Sequence, residues 1–237
     1  MRFSFIAFLF VVMGAMLVSA TGRNEADAAS GSNEVEAALV LKPDLKNGLR
    51  VFAVCAACHS PEGWGVSDGS IPVIAGQLRT VIIKQLADIR AGNRNVPEMF
   101  PFAMPKALGG VQSLADVAAY ISRLPMPAEN HTGPGTNLDY GKSLYRTHCL
   151  RCHGKNGEGN DEKFYPRIQG QHYAYLFRQF THIRDGQRRN ANPEMVAQIK
   201  DLSPGGMAAV LDYVSRLKPA RDRVAPRGWK NPDFKKN

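Results

Sequence analysis

Two pentapeptides, Cys55-Ala56-Ala57-Cys58-His59 and Cys149-Leu150-Arg151-Cys152-His153, bring together the residues of this chain best suited to chemistry. In each, two thiols stand three positions apart and an imidazole follows the second directly. That arrangement suits covalent attachment of a c-type haem: the thiols add to two vinyl groups and the histidine becomes an axial iron ligand. One helical turn supplies the spacing, because positions i and i+3 share a face. A structural disulfide or a four-thiolate zinc site would use the same cysteines. Neither explains the histidine behind both pairs, and a single zinc would have to gather thiolates from points 94 residues apart.

A haem that only passes electrons needs its distal face closed, and a methionine sulfur both closes it and raises the reduction potential. In the second half, Asn192-Pro193-Glu194-Met195 lies in an irregular stretch between two helical patterns, which makes Met195 the expected ligand, whereas Met207 falls on an apolar helix face and reads as core. In the first half, Pro97-Glu98-Met99 repeats that triplet, so Met99 is expected, with Met104 in the same loop as the alternative. The proximal imidazoles need an acceptor for their other ring nitrogen, and Pro72 and Pro166, each 13 residues beyond its histidine, offer a carbonyl or simply end a loop. His131, His148, His172 and His182 read as solvated or hydrogen-bonded surface groups; Leu78 and Asp88 stand where a shared role would need counterparts of His172 and His182.

The elements that must position these residues recur as a pair. At an offset of 94, Cys55 maps to Cys149, Pro72 to Pro166, Gly76-Gln77 to Gly170-Gln171 and Ile89-Arg90 to Ile183-Arg184; later the offset is 93, with Tyr120 on Tyr213. An amphipathic helix leads into each cysteine pair. A second follows each Gly-Gln, with Val81, Ile82, Leu86 and Ile89 matching Tyr175, Leu176, Phe180 and Ile183. A third closes each repeat through Leu114, Val117, Ala118, Ile121 and Leu124, matched by Met207, Val210, Leu211, Val214 and Leu217. No stretch alternates long enough for a strand, so the expected architecture is all-α and duplicated: a first domain over 41–127 and a second over 138–218. The Pro- and Gly-rich segment 128–137 reads as a semi-extended linker, and 219–237 as an irregular basic tail.

At the N-terminus, Arg2, the apolar run from Phe3 to Val18 and the small residues Val18-Ser19-Ala20 form a secretory signal pattern over 1–20, with a retained membrane anchor as the alternative. Residues 21–40 are small and polar and read as a flexible lead-in. Export places the thiols in an oxidising compartment, where two haem motifs would occupy all 4 cysteines. The net charge is +9, with six cations against two anions in 219–237. Such a balance steers the chain toward acidic partners or anionic membrane surfaces, while export and the absence of a basic aromatic-bearing motif argue against nucleic acid.

Two Cys-x-x-Cys-His domains, each followed by Pro-x-x-x-Gly-Gln, a Gly-x-Arg loop with Met and a closing helix containing Tyr, resemble the cytochrome c4 family of dihaem class I cytochromes from about residue 45 to residue 218. The resemblance implies two class I cytochrome c domains in contact, one covalent haem c in each, His and Met on each iron, and single electrons carried in the periplasm between protein redox partners such as membrane-bound respiratory complexes. Ser60 departs from the pattern, standing where the second domain has Gly154. Six-coordinate irons leave no open site for a small-molecule substrate, so a carrier is expected rather than an enzyme. The alternatives are a haem enzyme, such as a peroxidase or a sulfur-compound dehydrogenase, and a dedicated electron-transfer subunit of a periplasmic dehydrogenase or reductase.

Overall fold

The computed structural model describes the backbone of residues 22–234 and the side chains of residues 31–234; the signal pattern lies outside them. Among the described residues the fold is helical with no strand, only the isolated bridges Met126 to Val224 and Asn160 to Tyr165. In chain order, α1 (Gly22–Val40) precedes α2 (Leu45–His59), which carries the first cysteine pair. The first half continues with α3 (Arg79–Arg90), the short α4 (Phe100–Ala103) and α5 (Pro105–Leu108), and α6 (Val111–Arg123). In the second half, α7 (Leu138–Leu144) passes through a π-helical turn, Tyr145–Cys149, into α8 (Leu150–His153); α9 (Tyr173–Arg184), α10 (Pro193–Ile199) and α11 (Pro204–Ser215) follow.

Each half is built on one helix crossing, α2 on α6 and α7 on α11. Gly48 and Gly141 permit it, since a Cβ on Gly48 would collide with the Asp116 carbonyl and one on Gly141 with that of Ala209. One turn on, Phe52 meets Tyr120 with ring centroids 5.2 Å apart, and Tyr145 meets Tyr213 at 5.6 Å. From Phe52 to Cys55 is three residues, but from Tyr145 to Cys149 is four, and the π turn absorbs the extra one. The apolar positions expected on the closing helices form the two cores, with Leu114, Val117 and Ala118 fully buried in the first and Val210 and Val214 almost so in the second.

One segment differs from the expectation. Residues 21–40 are not a flexible lead-in: from Gly22 they form α1, whose Val35, Ala38 and Leu39 share an i, i+3, i+4 face packed on the first core. The Arg79 guanidinium donates to the carbonyls of Ala38 at 2.9 Å and of Leu39 and Leu41 at 3.3 Å, placing a cation at the negative end of that helix. The polar residues between those apolar positions hid the stripe.

The described part of the basic tail is irregular apart from two short 3-10 turns, Arg221–Arg223 and Pro232–Phe234, and it packs on the first half. Met126 and Val224 bridge through Met126 N to Arg223 O at 2.8 Å and Ala225 N to Met126 O at 2.9 Å. Beyond the bridge, Trp229 meets Trp64 with tilted rings at 5.7 Å and Phe234 meets Phe52 edge-on at 5.9 Å. The chain therefore leaves the first half at its linker, builds the second, and returns. The linker itself lies on the second half, where Asn130 Nδ2 donates to the carbonyls of Gln171 at 2.9 Å and Ser215 at 2.8 Å.

Candidate haem-attachment sites

In the first half Cys55, Cys58 and His59 occupy the last turn of α2, which stops at Ser60, whose φ of 65° and ψ of 158° lie outside the helical region. His59 is buried, and its Nδ1 lies 3.0 Å from the Pro72 carbonyl. A carbonyl only accepts, so Nδ1 carries the proton and Nε2 keeps its lone pair. The second half repeats this: His153 ends α8, is buried, and sets Nδ1 2.9 Å from the Pro166 carbonyl. Burial pushes both imidazoles below their ordinary pKa, partly offset by the carbonyl bonds, so each is the neutral form that binds metal.

These residues fit a haem. Nε2 of neither ring has a protein partner among the described residues, which leaves it for iron. All four cysteines are unpaired, and burial raises the thiols of Cys55 to about 11 and Cys149 to about 12, so both stay protonated. Among the described residues no three His, Cys, Asp or Glu side chains converge as a metal cage.

The three methionines are half-buried. Met195 sits in the first turn of α10, packed on the second core, where Asn192 Oδ1 accepts from the backbone N–H groups of Glu194 at 2.8 Å and Met195 at 3.4 Å. Arg151 reaches Glu194 at 3.2 Å, tying the cysteine-bearing turn to the helix of Met195. In the first half the same Pro-Glu-Met triplet ends differently: Met99 precedes α4, and Met104 sits in an extended conformation at the break between α4 and α5. Arg90 holds this loop, donating to Ala103 O at 2.5 Å and Gly109 O at 2.7 Å while pairing with Glu34 of α1.

The two halves meet along a pseudo-twofold set of contacts that sequence reasoning did not assign. Gln77 donates to Arg167 O at 2.8 Å and accepts from Arg167 N at 2.9 Å; Gln171 donates to Val73 O at 2.8 Å and accepts from Val73 N at 3.0 Å. Further out, Arg94 donates to Gln179 at 3.3 Å and Arg188 to Gln85 at 2.7 Å. Burial, with Arg94 adding to it, lowers Arg188 to about 10, so it stays charged at neutral pH. The recurrence of both Gln-Arg pairs at the offset of 94 was the available signal, but nothing in the sequence showed that they cross between repeats.

His172 is not a solvated surface group. It is buried between the halves, where Nε2 lies 3.0 Å from the Trp64 carbonyl and Nδ1 accepts from His131 N at 3.2 Å. His148 is half-buried, with Nδ1 3.4 Å from Gln198 Oε1.

Comparison with known proteins agrees with this geometry. Residues 136–214 match the family model described as cytochrome C oxidase, cbb3-type, subunit III. Cytochrome c4 of Azotobacter vinelandii is 34% identical over 190 residues, spanning 73% of this chain and 89% of its own. The crystal structure of reduced recombinant cytochrome c4 from Pseudomonas stutzeri superimposes with a TM-score of 0.64 at 31% identity, covering 74% of this chain and 100% of its own. A thiosulfate dehydrogenase electron acceptor of Stutzerimonas stutzeri (strain A1501) is 30% identical over 173 residues, 69% of this chain and 78% of its own. Two cysteine-bearing helical repeats and these likenesses place the chain in the cytochrome c4 family of dihaem c-type cytochromes.

Proposed function

We propose that this dihaem cytochrome is an exported electron carrier in which Cys55 and Cys58 hold one haem and Cys149 and Cys152 the other, with His59 and Met99 on the first iron and His153 and Met195 on the second. When bound, the haem supplies the one-electron couple between Fe(III) and Fe(II). Pro72 and Pro166 fix each imidazole in its neutral tautomer and aim Nε2 away from the protein's own donors. Met99 and Met195 exclude water and substrates from the distal faces. The repeated histidine-to-proline bond carries this reading, since it prepares two like metal-binding nitrogens in one chain.

Single replacement of Met99, Met104 and Met195 by Ala tests it. The Met99 and Met195 variants are expected to lose the sulfur-to-iron charge-transfer band of one haem and about half the low-spin signal, whereas the Met104 variant keeps both. Loss of the first haem's band in the Met104 variant alone would transfer that role to Met104. A native protein with a high-spin iron that turns over peroxide would replace the carrier by an enzyme.

A second reading, a subunit serving one dehydrogenase, is favoured by the relative described as a thiosulfate dehydrogenase electron acceptor. Copurification with a single dehydrogenase would support it. Under either reading the net charge of +9 favours acid-surfaced partners, and electron transfer should slow as salt is raised. The periplasm is the proposed compartment. Among the described residues no helix is long and apolar enough to cross a membrane.

A further inference from the structure

The peptide group that accepts the His59 imidazole proton is also held from the other side, by the opposite domain. Pro72 C=O and Val73 N–H belong to one planar amide. Its oxygen lies 3.0 Å from His59 Nδ1, and its N–H donates to Gln171 Oε1 at 3.0 Å. Gln171 Nε2 then closes a second bond to Val73 O at 2.8 Å. The mirror arrangement joins His153 Nδ1 to Pro166 O at 2.9 Å and Arg167 N to Gln77 Oε1 at 2.9 Å, with Gln77 Nε2 on Arg167 O at 2.8 Å. Between the two clasps lies a cavity of about 10 Å³ lined by Val73, Gln77, Arg167 and Gln171 among others, room for about one water.

We infer that Gln171 and Gln77 are crossed positioning residues, each tuning the proximal histidine of the opposite domain. The reason is polarisation along a chain of hydrogen bonds. An acceptor on the amide N–H moves electron density onto the amide oxygen, which then draws harder on the imidazole N–H. The imidazole becomes a better donor to iron through Nε2, which favours Fe(III) and lowers the reduction potential. Each clasp also fixes where the carbonyl stands, because two bonds from one amide side chain define the plane of the neighbouring backbone. Gln171 is 7% exposed and Gln77 half-buried, so water competes less for the clasp that serves the first site.

This inference rests on His59 and His153 as axial ligands, and the test separates the two. Gln171→Met and Gln77→Met keep side-chain length and remove the acceptor. In the holoprotein, each haem's potential is followed through its own hyperfine-shifted methyl signals by NMR at a series of applied potentials. Gln171→Met should raise the first haem's potential, by about two- to fivefold in the equilibrium constant for reduction, and leave the second unchanged. Gln77→Met should do the reverse, by a smaller factor. Gln171→Glu keeps the acceptor, loses the donor and adds a negative charge beside Val73 N, so the first haem's potential should fall, and by more than the second's; this variant decides the matter if the Met variant does not assemble. Shifts in the haem of the variant's own domain, equal shifts in both, or no shift would overturn the crossed role. If native His/Met spectra survived in a His59 variant, the ligand reading itself would fail instead.

Discussion

At the scale of single residues, the two Cys-x-x-Cys-His motifs and the prolines whose carbonyls face their imidazoles could be picked out because each lies within about one turn or one short loop of its neighbours and occurs twice, whereas the place of His172 could not. Ser60 is where that local logic breaks. Its φ of 65° and ψ of 158° lie in a region almost reserved for glycine, which Gly154 supplies at φ 80° in the second site. The strain is worth about 1–3 kcal/mol. Among the described residues, a 3.3 Å bond from Trp64 N to Ser60 Oγ offsets part of it. Ser60→Gly gives up that bond and about 0.4–1 kcal/mol through the freer unfolded chain. The net expectation is a gain of about 1 kcal/mol. Thermal unfolding of the holoprotein measures it, and an unchanged or lowered midpoint would show the serine to be unstrained.

The scale of elements is where sequence reading lost ground. Closing helices were readable from their 3.6-residue stripes, and the π turn could have been found by counting three residues from Phe52 to Cys55 against four from Tyr145 to Cys149. The packing of the tail could not be read, because its anchors are scattered single residues whose partners lie about a hundred or more positions away. Asn231 is buried and donates to Pro61 O at 2.7 Å and to the Tyr120 hydroxyl at 3.1 Å. Tyr120 in turn donates to Asp233 at 2.8 Å, and burial pushes its phenol up to about 12, so the proton stays in place. Asn231→Ala should destabilise the first domain by about 1–3 kcal/mol through the unpaired Pro61 carbonyl. Ending the chain at Ala225 keeps the Met126 bridge but removes Trp229, Asn231 and Phe234. Amide exchange should then accelerate in α2 and α6 while α9 and α11 keep their protection. Equal acceleration in both halves would mean that the tail stabilises the interface rather than the first core.

For the whole molecule, the duplication yields two similar sites, and the interface makes them interdependent. The contacts of Gln77 and Gln171 and the Arg94–Gln179 and Arg188–Gln85 bonds obey the pseudo-twofold relation; those of Arg178, Asn190 and His172 do not, and at the counterpart of His172 stands Leu78. The His172 contact is sensitive to pH. As a neutral ring it donates from Nε2 to Trp64 O and accepts at Nδ1 from His131 N; a proton on Nδ1 would set two donors against each other. Burial lowers its pKa, offset in part by the Trp64 carbonyl, while the nearby His131 lowers it and Asp68 raises it. The folded value thus lies below the unfolded value of about 6.5. Across the window between them the unfolded chain binds more protons, so stability rises with pH there. The contribution is complete above about 6.5, declines as pH falls toward the folded value, and is constant below it. The unfolding midpoint should therefore drop as the pH falls below about 6.5. His172→Gln, which can still donate to Trp64 O but does not titrate, should flatten that part of the profile. Identical slopes in the two proteins would assign the pH response to groups other than the one histidine held between the domains.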